Sequence, residues 1–521
     1  MNKNFLLAGL AIAIHLLFRN ENAGANCLIF NILAIIFLYV QHKDFFVIKE
    51  MLLPITISLI ASVGVILSNS DLAIAMHLVT MMVLVGVAHH PQVRWALTAW
   101  FYSLSAWISA PKMILGGVDT SVFTAEHAKK TNKFFTYSWV SACIIPIFFT
   151  IYYFANDGFA QLCNHVCRVI SEVLATVSFE WSFWGLIFWI ICIFTAALLL
   201  FRAEWLSIVE QEQNFSDTNE RYRSILRDLF LVKRTDLVVP SFSPLALLTQ
   251  YRTAVVLFSS LNALILLVNC SDIWAVWLHG RQSILPSEFS SDLHDGTFTL
   301  IFSILLAMGL VAYFFHKNLN FYTKNAFLKA LVYGWTVQNS FLAASVFMRN
   351  LQYICAYGLA YNRIGVLVFL VLVLIGLFTM LLKIKYKKTI FYLLRINSWA
   401  MLFILSAVAC FSWDNIITDY NTKSYSYNKI DWYFLICDVS YQNIPQLWQQ
   451  RKRMSPPIRR FFTEKMQTYQ LIATCNDCTY FSYNIPDENL KLFFRTNKTA
   501  IDDWYKNGSN KNEQNIEKTY N

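Results

Sequence analysis

The stretch Ile364–Leu382, IGVLVFLVLVLIGLFTMLL, decides the fold class. It carries no charge and no proline, and it far exceeds a core strand of about five or six residues. Wound as a helix at 1.5 Å per residue it is about 28 Å long, close to the hydrocarbon thickness of a bilayer. Lipid offers no hydrogen-bond partner, so the segment must satisfy its own backbone, which an α-helix does.

Working outward, ten more apolar segments approach that length: 5–18, 27–40, 51–68, 72–88, 135–154, 183–201, 250–269, 298–316, 328–348 and 390–411. The first two are short, about 21 Å each, and require local bilayer thinning or help from their polar flanks. The fold expected is an all-α polytopic membrane bundle of about eleven transmembrane helices, within a range of roughly 10 to 13. Composition agrees. Of 521 residues, 56% are hydrophobic and 14% charged, against about 25% charged in soluble domains. That excludes an ordinary soluble enzyme and a disordered chain. A net charge of +10 spread over this length forms no basic domain, which argues against nucleic acid as a partner.

Segment 95–116 is long enough to span but carries Trp95, Trp100 and Trp107. Tryptophan prefers the membrane–water interface, so this segment reads as interfacial or re-entrant. With the N-terminus inside and the other eleven segments alternating, inside loops hold 20 Lys and Arg and outside loops 5. This is the positive-inside bias. It makes the N-terminus cytoplasmic and the C-terminus extracytoplasmic. Lys3, the apolar run after it and Ala23-Gly24-Ala25 imitate a signal peptide. The polar interruption Arg19–Asn22 and the second apolar run favour an uncleaved hairpin.

The organisation expected is therefore an N-terminal membrane region, 1–201, with about six spans. A cytoplasmic amphipathic linker, 202–249, follows, then a C-terminal membrane region, 250–411, with about five spans. A small extracytoplasmic domain, α+β or irregular, occupies 412–506, and a polar, disordered tail 507–521. In the linker, Tyr222, Ile225, Leu226 and Leu229 fall at helical spacing among arginines, as in a helix lying on anionic lipid or a solvated connector. Residues 159–177 carry a second amphipathic stripe. In the outer domain, Asp431–Leu435 and Gln442–Trp448 read as helical. Gln467–Thr474 and Thr479–Tyr483 alternate like strands around Cys475-Asn476-Asp477-Cys478.

Chemistry is sparse. Cys475 and Cys478 form a CxxC, which in an oxidising compartment can close as a disulfide and otherwise stays as free thiols. Four zinc ligands are not available near it. Cys163, His165 and Cys167 do not share one helix face. His15 and His77 lie inside spans without a carboxylate in the same segments, and a neighbouring helix can satisfy each. The P-loop, the nucleophile elbow and the zinc-helix motif are absent from the sequence. We therefore expect no catalytic residue, no bound metal and no cofactor.

The richest polar stretch is Tyr333–Arg363. Arg349, Tyr353, Tyr357 and Tyr361 recur every four residues, so on one continuous helix they form a ridge. Arg363 opens the next span, and Asn339 lies inside the preceding one. An arginine ringed by tyrosines can hold a lipid phosphate bidentately, although both residue types are also ordinary interfacial anchors. The candidate ligand residues are Asn339, Arg349, Tyr353, Tyr357 and Arg363.

The run MRNLQYICAYGLAYNRIGVLVFL, with FSILLAMGLVAYFFHKNLNFYTKNAFLKALVYGWTVQNSF before it, resembles a bacterial membrane-protein family of unknown function, the 4153/4173 pair of domains of unknown function. DNIITDYN, KIDWYFLICDVSYQNIPQL and FRTNKTAIDDW extend the likeness, which runs from about residue 220 to 510. The resemblance implies a bacterial inner-membrane protein with many helices and a small extracytoplasmic C-terminal region. It implies no activity. Asn339, Arg349, Tyr353, Tyr357, Gly358 and Arg363 are the positions that carry it.

Three functions remain open: transport or lipid and anionic head-group handling, a sensor or assembly factor whose outer domain binds another envelope protein, and an intramembrane enzyme. Membrane lipids are the partners common to all three.

Overall fold

The computed structural model describes residues 3–41, 49–117, 161, 183–202, 212–219, 244–278, 302–315, 318–424, 430–475 and 480–506. Among these the chain is helical, with a single isolated bridge, Thr218 to Lys388. The helices are α1 (Lys3–Phe18), α2 (Ala25–Gln41), α3 (Leu52–Ser68), α4 (Asp71–His89), α5 (Ala96–Ile108), α6 (Ala110–Gly117), α7 (Phe183–Leu200) and α8 (Pro244–Asp272). There follow α9 (Phe302–Phe314), α10 (Ala326–Tyr357), α11 (Tyr361–Lys385), α12 (Ile390–Val408), α13 (Trp413–Ser424), α14 (Ile444–Gln449), α15 (Pro456–Cys475) and α16 (Ile485–Thr496).

Five helical segments are long and apolar enough to cross a membrane: Lys49–Ser68, Asp71–His89, Leu247–Asp272, Tyr361–Lys385 and Ile390–Val408. Shorter apolar helices are Asn4–Phe18, Ala25–Gln41, Trp184–Leu200 and Phe302–Phe314. Only 17% of the apolar window of α8 is buried, and Leu264, Leu266 and Leu267 are exposed on it. Such faces are unfavourable in water and matched in lipid. This is a membrane-embedded protein. The expected span 135–154 and most of the amphipathic segments 202–236 and 159–177 lie outside the described residues.

The chain forms two compact units. The first comprises 1–213, 409–411 and 476–488, the second 214–408, 412–475 and 489–521. In the first, Asn69 takes a left-handed conformation (φ 42°) to end α3, and the Ser70 hydroxyl accepts from the Ala73 N–H to start α4. The next approach is tighter still. A Cβ on Gly86 of α4 would lie 2.2 Å from the Ala99 carbonyl oxygen of α5, so only glycine admits this packing. Segment 95–116 forms two helices, α5 and α6, that meet at Ser109. Neither has the length to cross a bilayer.

In the second unit, α8 packs against α10, α10 against α11, and α11 against α12. The described residues of 412–475 and 489–506 build a core of their own around Ile417, Leu435, Ile444, Leu447, Phe462 and Met466, and Ile364 of α11 belongs to it. The strand expected at Gln467–Thr474 is instead the last part of α15. Phe462 and Met466 are buried, and Tyr469 packs against the same core. Their spacing of four and three is that of a helix face. Local alternation in the tail of the segment imitated a period of two.

Candidate functional site

Helix α10 ends where Gly358 takes φ +84° and ψ −178°, a backbone region open essentially to glycine alone. Its N–H still bonds the Ile354 carbonyl (2.8 Å). Three residues later, at Tyr361, α11 begins. The chain at this joint has backbone groups without helical partners, and Asn421 of α13 supplies them. Its Oδ1 accepts from the Leu359 N–H (2.6 Å), and its Nδ2 donates to the Leu359 carbonyl (2.9 Å). A Cβ on Gly358 would lie 2.6 Å from Asn421 Oδ1, so glycine is required on steric as well as dihedral grounds.

The break corrects the expected ridge. Arg349, Tyr353 and Tyr357 share α10, but Tyr361 stands on α11 and donates its hydroxyl proton to Asp414. The arginine that meets tyrosine is Arg363. Its guanidinium lies 4.2 Å from the centre of the Tyr353 ring, and Tyr353 in turn packs on Tyr357 (4.9 Å between centres). Arg363 Nη1 donates to the Gly358 carbonyl, and Asn350 Nδ2 holds the Arg363 carbonyl at 3.0 Å. A guanidinium has five donors. No carboxylate pairs with Arg363 among the described residues.

These groups border a cavity of about 130 Å³ lined by Tyr357, Gly358, Leu359, Ala360, Arg363, Asn421, Ile430, Asp431 and Phe434. It is too small for a whole lipid or a drug-sized molecule, whose pockets run to roughly 300–1,000 Å³. It is large enough for several waters or one small polar group.

The other candidates lie elsewhere. Arg349 pairs with Asp272 of α8, which is nearly buried. Asn339 is buried and donates to the Trp335 carbonyl one turn earlier (2.7 Å). It precedes Arg349 by ten residues, about 15 Å along the helix, and does not line the cavity. Cys475 ends α15, and Cys478 lies outside the described residues, so their pairing does too. Among the described residues no group of three or more His, Cys, Asp or Glu side chains could hold a metal.

A family model described as "Domain of unknown function (DUF4153)" matches residues 55–450. The chain belongs to this family. No curated protein and no solved structure matches it. The DUF4153 match takes in α3 and α4, well ahead of the stretch from about residue 220 that carried the resemblance, and ends before α15. The cavity and both helices of the glycine joint fall inside it.

Reading single residues missed Asn421, Asp431 and the groups behind them. Asp414 accepts from both Tyr361 and Ser440. The Lys465 ammonium donates to the carbonyls of Val439 (2.7 Å) and Ser440 (3.1 Å) and to Asn443 Oδ1 (3.2 Å). Burial pulls the Lys465 pKa down to about 8, against the opposing pull of Asp414 and Cys437. Asn443, fully buried, donates to Thr418 and to the Leu435 carbonyl. Asp414 and Asn421 open and close DNIITDYN, and Asp431, Ser440 and Asn443 lie within KIDWYFLICDVSYQNIPQL. Neither run was read as part of a site.

Proposed function

We propose that this DUF4153 member is a multi-pass protein of a bacterial inner membrane that handles anionic head groups, with the cavity beside Gly358 as its binding site. One observation carries the reading. The Arg363 guanidinium is oriented by an aromatic face and one carbonyl, borders a cavity, and has no carboxylate partner among the described residues. An arginine held this way can take a phosphate through its remaining donors. The cavity volume supports a head-group site and gives no support to passage of a whole lipid. The topology we propose has about eleven spans, segment 95–116 at the interface, a cytoplasmic 202–249 linker, and an extracytoplasmic region from residue 412.

Titration of the purified full-length protein with phosphatidylglycerol tests the site. We expect saturable binding that Arg363→Gln weakens by about tenfold or more, the contribution of one or two charge-assisted hydrogen bonds. Equal binding by the variant would remove the proposal. Cys437 is exposed, so a membrane-impermeant thiol reagent should label it in intact cells. Labelling only after lysis would invert the topology.

A second reading, a sensor or assembly factor, draws on Tyr433 and Phe461. Both are exposed and in ring contact at 6.1 Å, as an apolar docking patch for an envelope protein would be. Charged replacements there that abolish co-purification of a partner while leaving lipid binding intact would favour it.

A further inference from the structure

The cavity beside Gly358 has a second charged wall. Asp431 lines it together with Arg363, yet the two do not form an ion pair: neither occurs in one among the described residues. Asp431 Oδ1 accepts from the Phe434 N–H (3.0 Å), which holds the carboxylate as the cap of the turn that follows. The guanidinium is likewise tied, by Gly358 and by Tyr353. Opposite charges lining one cavity attract, yet here each is held by its own element and the two are not within ion-pair distance. A lone anion would satisfy Arg363 and be repelled by Asp431. A lone cation would meet the reverse. A group carrying both charges a short distance apart meets neither penalty.

The remaining walls suit the same chemistry. Two aromatic residues, Tyr357 and Phe434, line the cavity, and an ammonium is attracted to an aromatic face. Leu359 and Ala360 lead into the first turn of α11, whose helix dipole favours a negative group on the same side as Arg363.

We infer that the cavity binds a zwitterionic phospho-amine, with its phosphate on Arg363 and its ammonium on Asp431. This rests on the head-group reading above and deepens it, by naming the head-group class. Phosphatidylethanolamine and soluble O-phosphoethanolamine share the chemistry.

The test is a set of titrations of the full-length protein in detergent with phosphatidylethanolamine, phosphatidylglycerol and O-phosphoethanolamine. The wild type should bind phosphatidylethanolamine about tenfold tighter than phosphatidylglycerol, the value of one charge-assisted hydrogen bond. Asp431→Asn keeps an equally good turn cap and should erase that preference while retaining phosphatidylglycerol binding. Arg363→Gln should weaken both lipids, with partial rescue by Arg363→Lys, whose point charge lacks the fork. Equal binding of the two lipids by the wild type, or an unchanged preference in Asp431→Asn, overturns the zwitterion assignment. If Arg363→Gln still loses both lipids in that case, the anionic site stands. Unchanged binding by Arg363→Gln overturns both. Competition by O-phosphoethanolamine at similar affinity assigns the soluble group, and its failure beside tight lipid binding assigns the membrane lipid; either supports the proposed chemistry.

Discussion

Each unit buries polar groups among apolar helices, but they are used differently. In the first unit Asn31 of α2 donates to the Ser58 carbonyl (2.8 Å) and to the Ser62 hydroxyl of α3. Ser62 also meets His77 Nδ1 of α4 at 3.0 Å and donates to the Ser58 carbonyl. All four side chains are buried. Most of these donors and acceptors bond one another, so the cluster ties three helices together. In the second unit the groups at the α10–α11 joint are only partly consumed. Asn421 and Asn350 are spent on backbone, while Arg363 and Asp431 keep capacity that faces a cavity. Burial of polar groups is common to both. Unspent hydrogen-bonding capacity beside space marks the site.

The largest change we expect sharpens this contrast. Asp272→Asn leaves the Arg349 guanidinium without its counter-charge. Breaking such a pair costs about 3–5 kcal/mol, to be read as a large drop in thermal midpoint of the detergent-solubilised protein. Head-group binding per folded molecule should persist, because Arg349 does not line the cavity. Next, Gly358→Ala meets both a forbidden dihedral and Asn421. The backbone strain alone is about 1–3 kcal/mol, and binding should fall with stability because the joint carries the cavity. Stability loss with wild-type affinity would show that the joint and the site are separable.

Ser62→Ala should have a smaller effect, about 0.5–1.5 kcal/mol, the range for hydrogen bonds between membrane helices. Its lipid affinity should equal that of the wild type. If Ser62→Ala loses binding while Arg363→Gln keeps it, the contrast between the units is reversed. The last effect concerns Lys465 and is read against pH. Its folded pKa of about 8 lies below the ordinary 10.5, so between those values the unfolded chain binds more protons than the folded one. Stability should therefore rise with pH across that window, as the cost of burying the ammonium is relieved. In Lys465→Met, scored by thermal midpoint against pH, that rise should be absent.

The α10–α11 joint shows where sequence reasoning stops. The four-residue recurrence from Arg349 to Tyr361 was real, but its consequence depended on one backbone angle. Gly358 sits in that run without any neighbouring proline or turn motif, and nothing local says that its φ is positive. The partner that stabilises the break, Asn421, is 63 positions away. The Arg349–Asp272 pair joins residues 77 apart. Tyr353, Tyr357 and Arg363 were legible as a group because they lie within ten positions of one another in the sequence.

Sequence alone determined that this is a membrane protein, that it carries several long apolar segments, and which short stretch concentrates the polar chemistry. Those properties follow from transfer free energies and helical periodicity, and both are sums over neighbouring residues. Tertiary structure decided that α10 breaks at Gly358, that Arg363 stacks on Tyr353 while Arg349 pairs with Asp272, that Asp431 lines the same cavity as Arg363, and that Gln467–Thr474 is helical. Each of these depends on groups brought together from distant parts of the chain, and no local sum contains them.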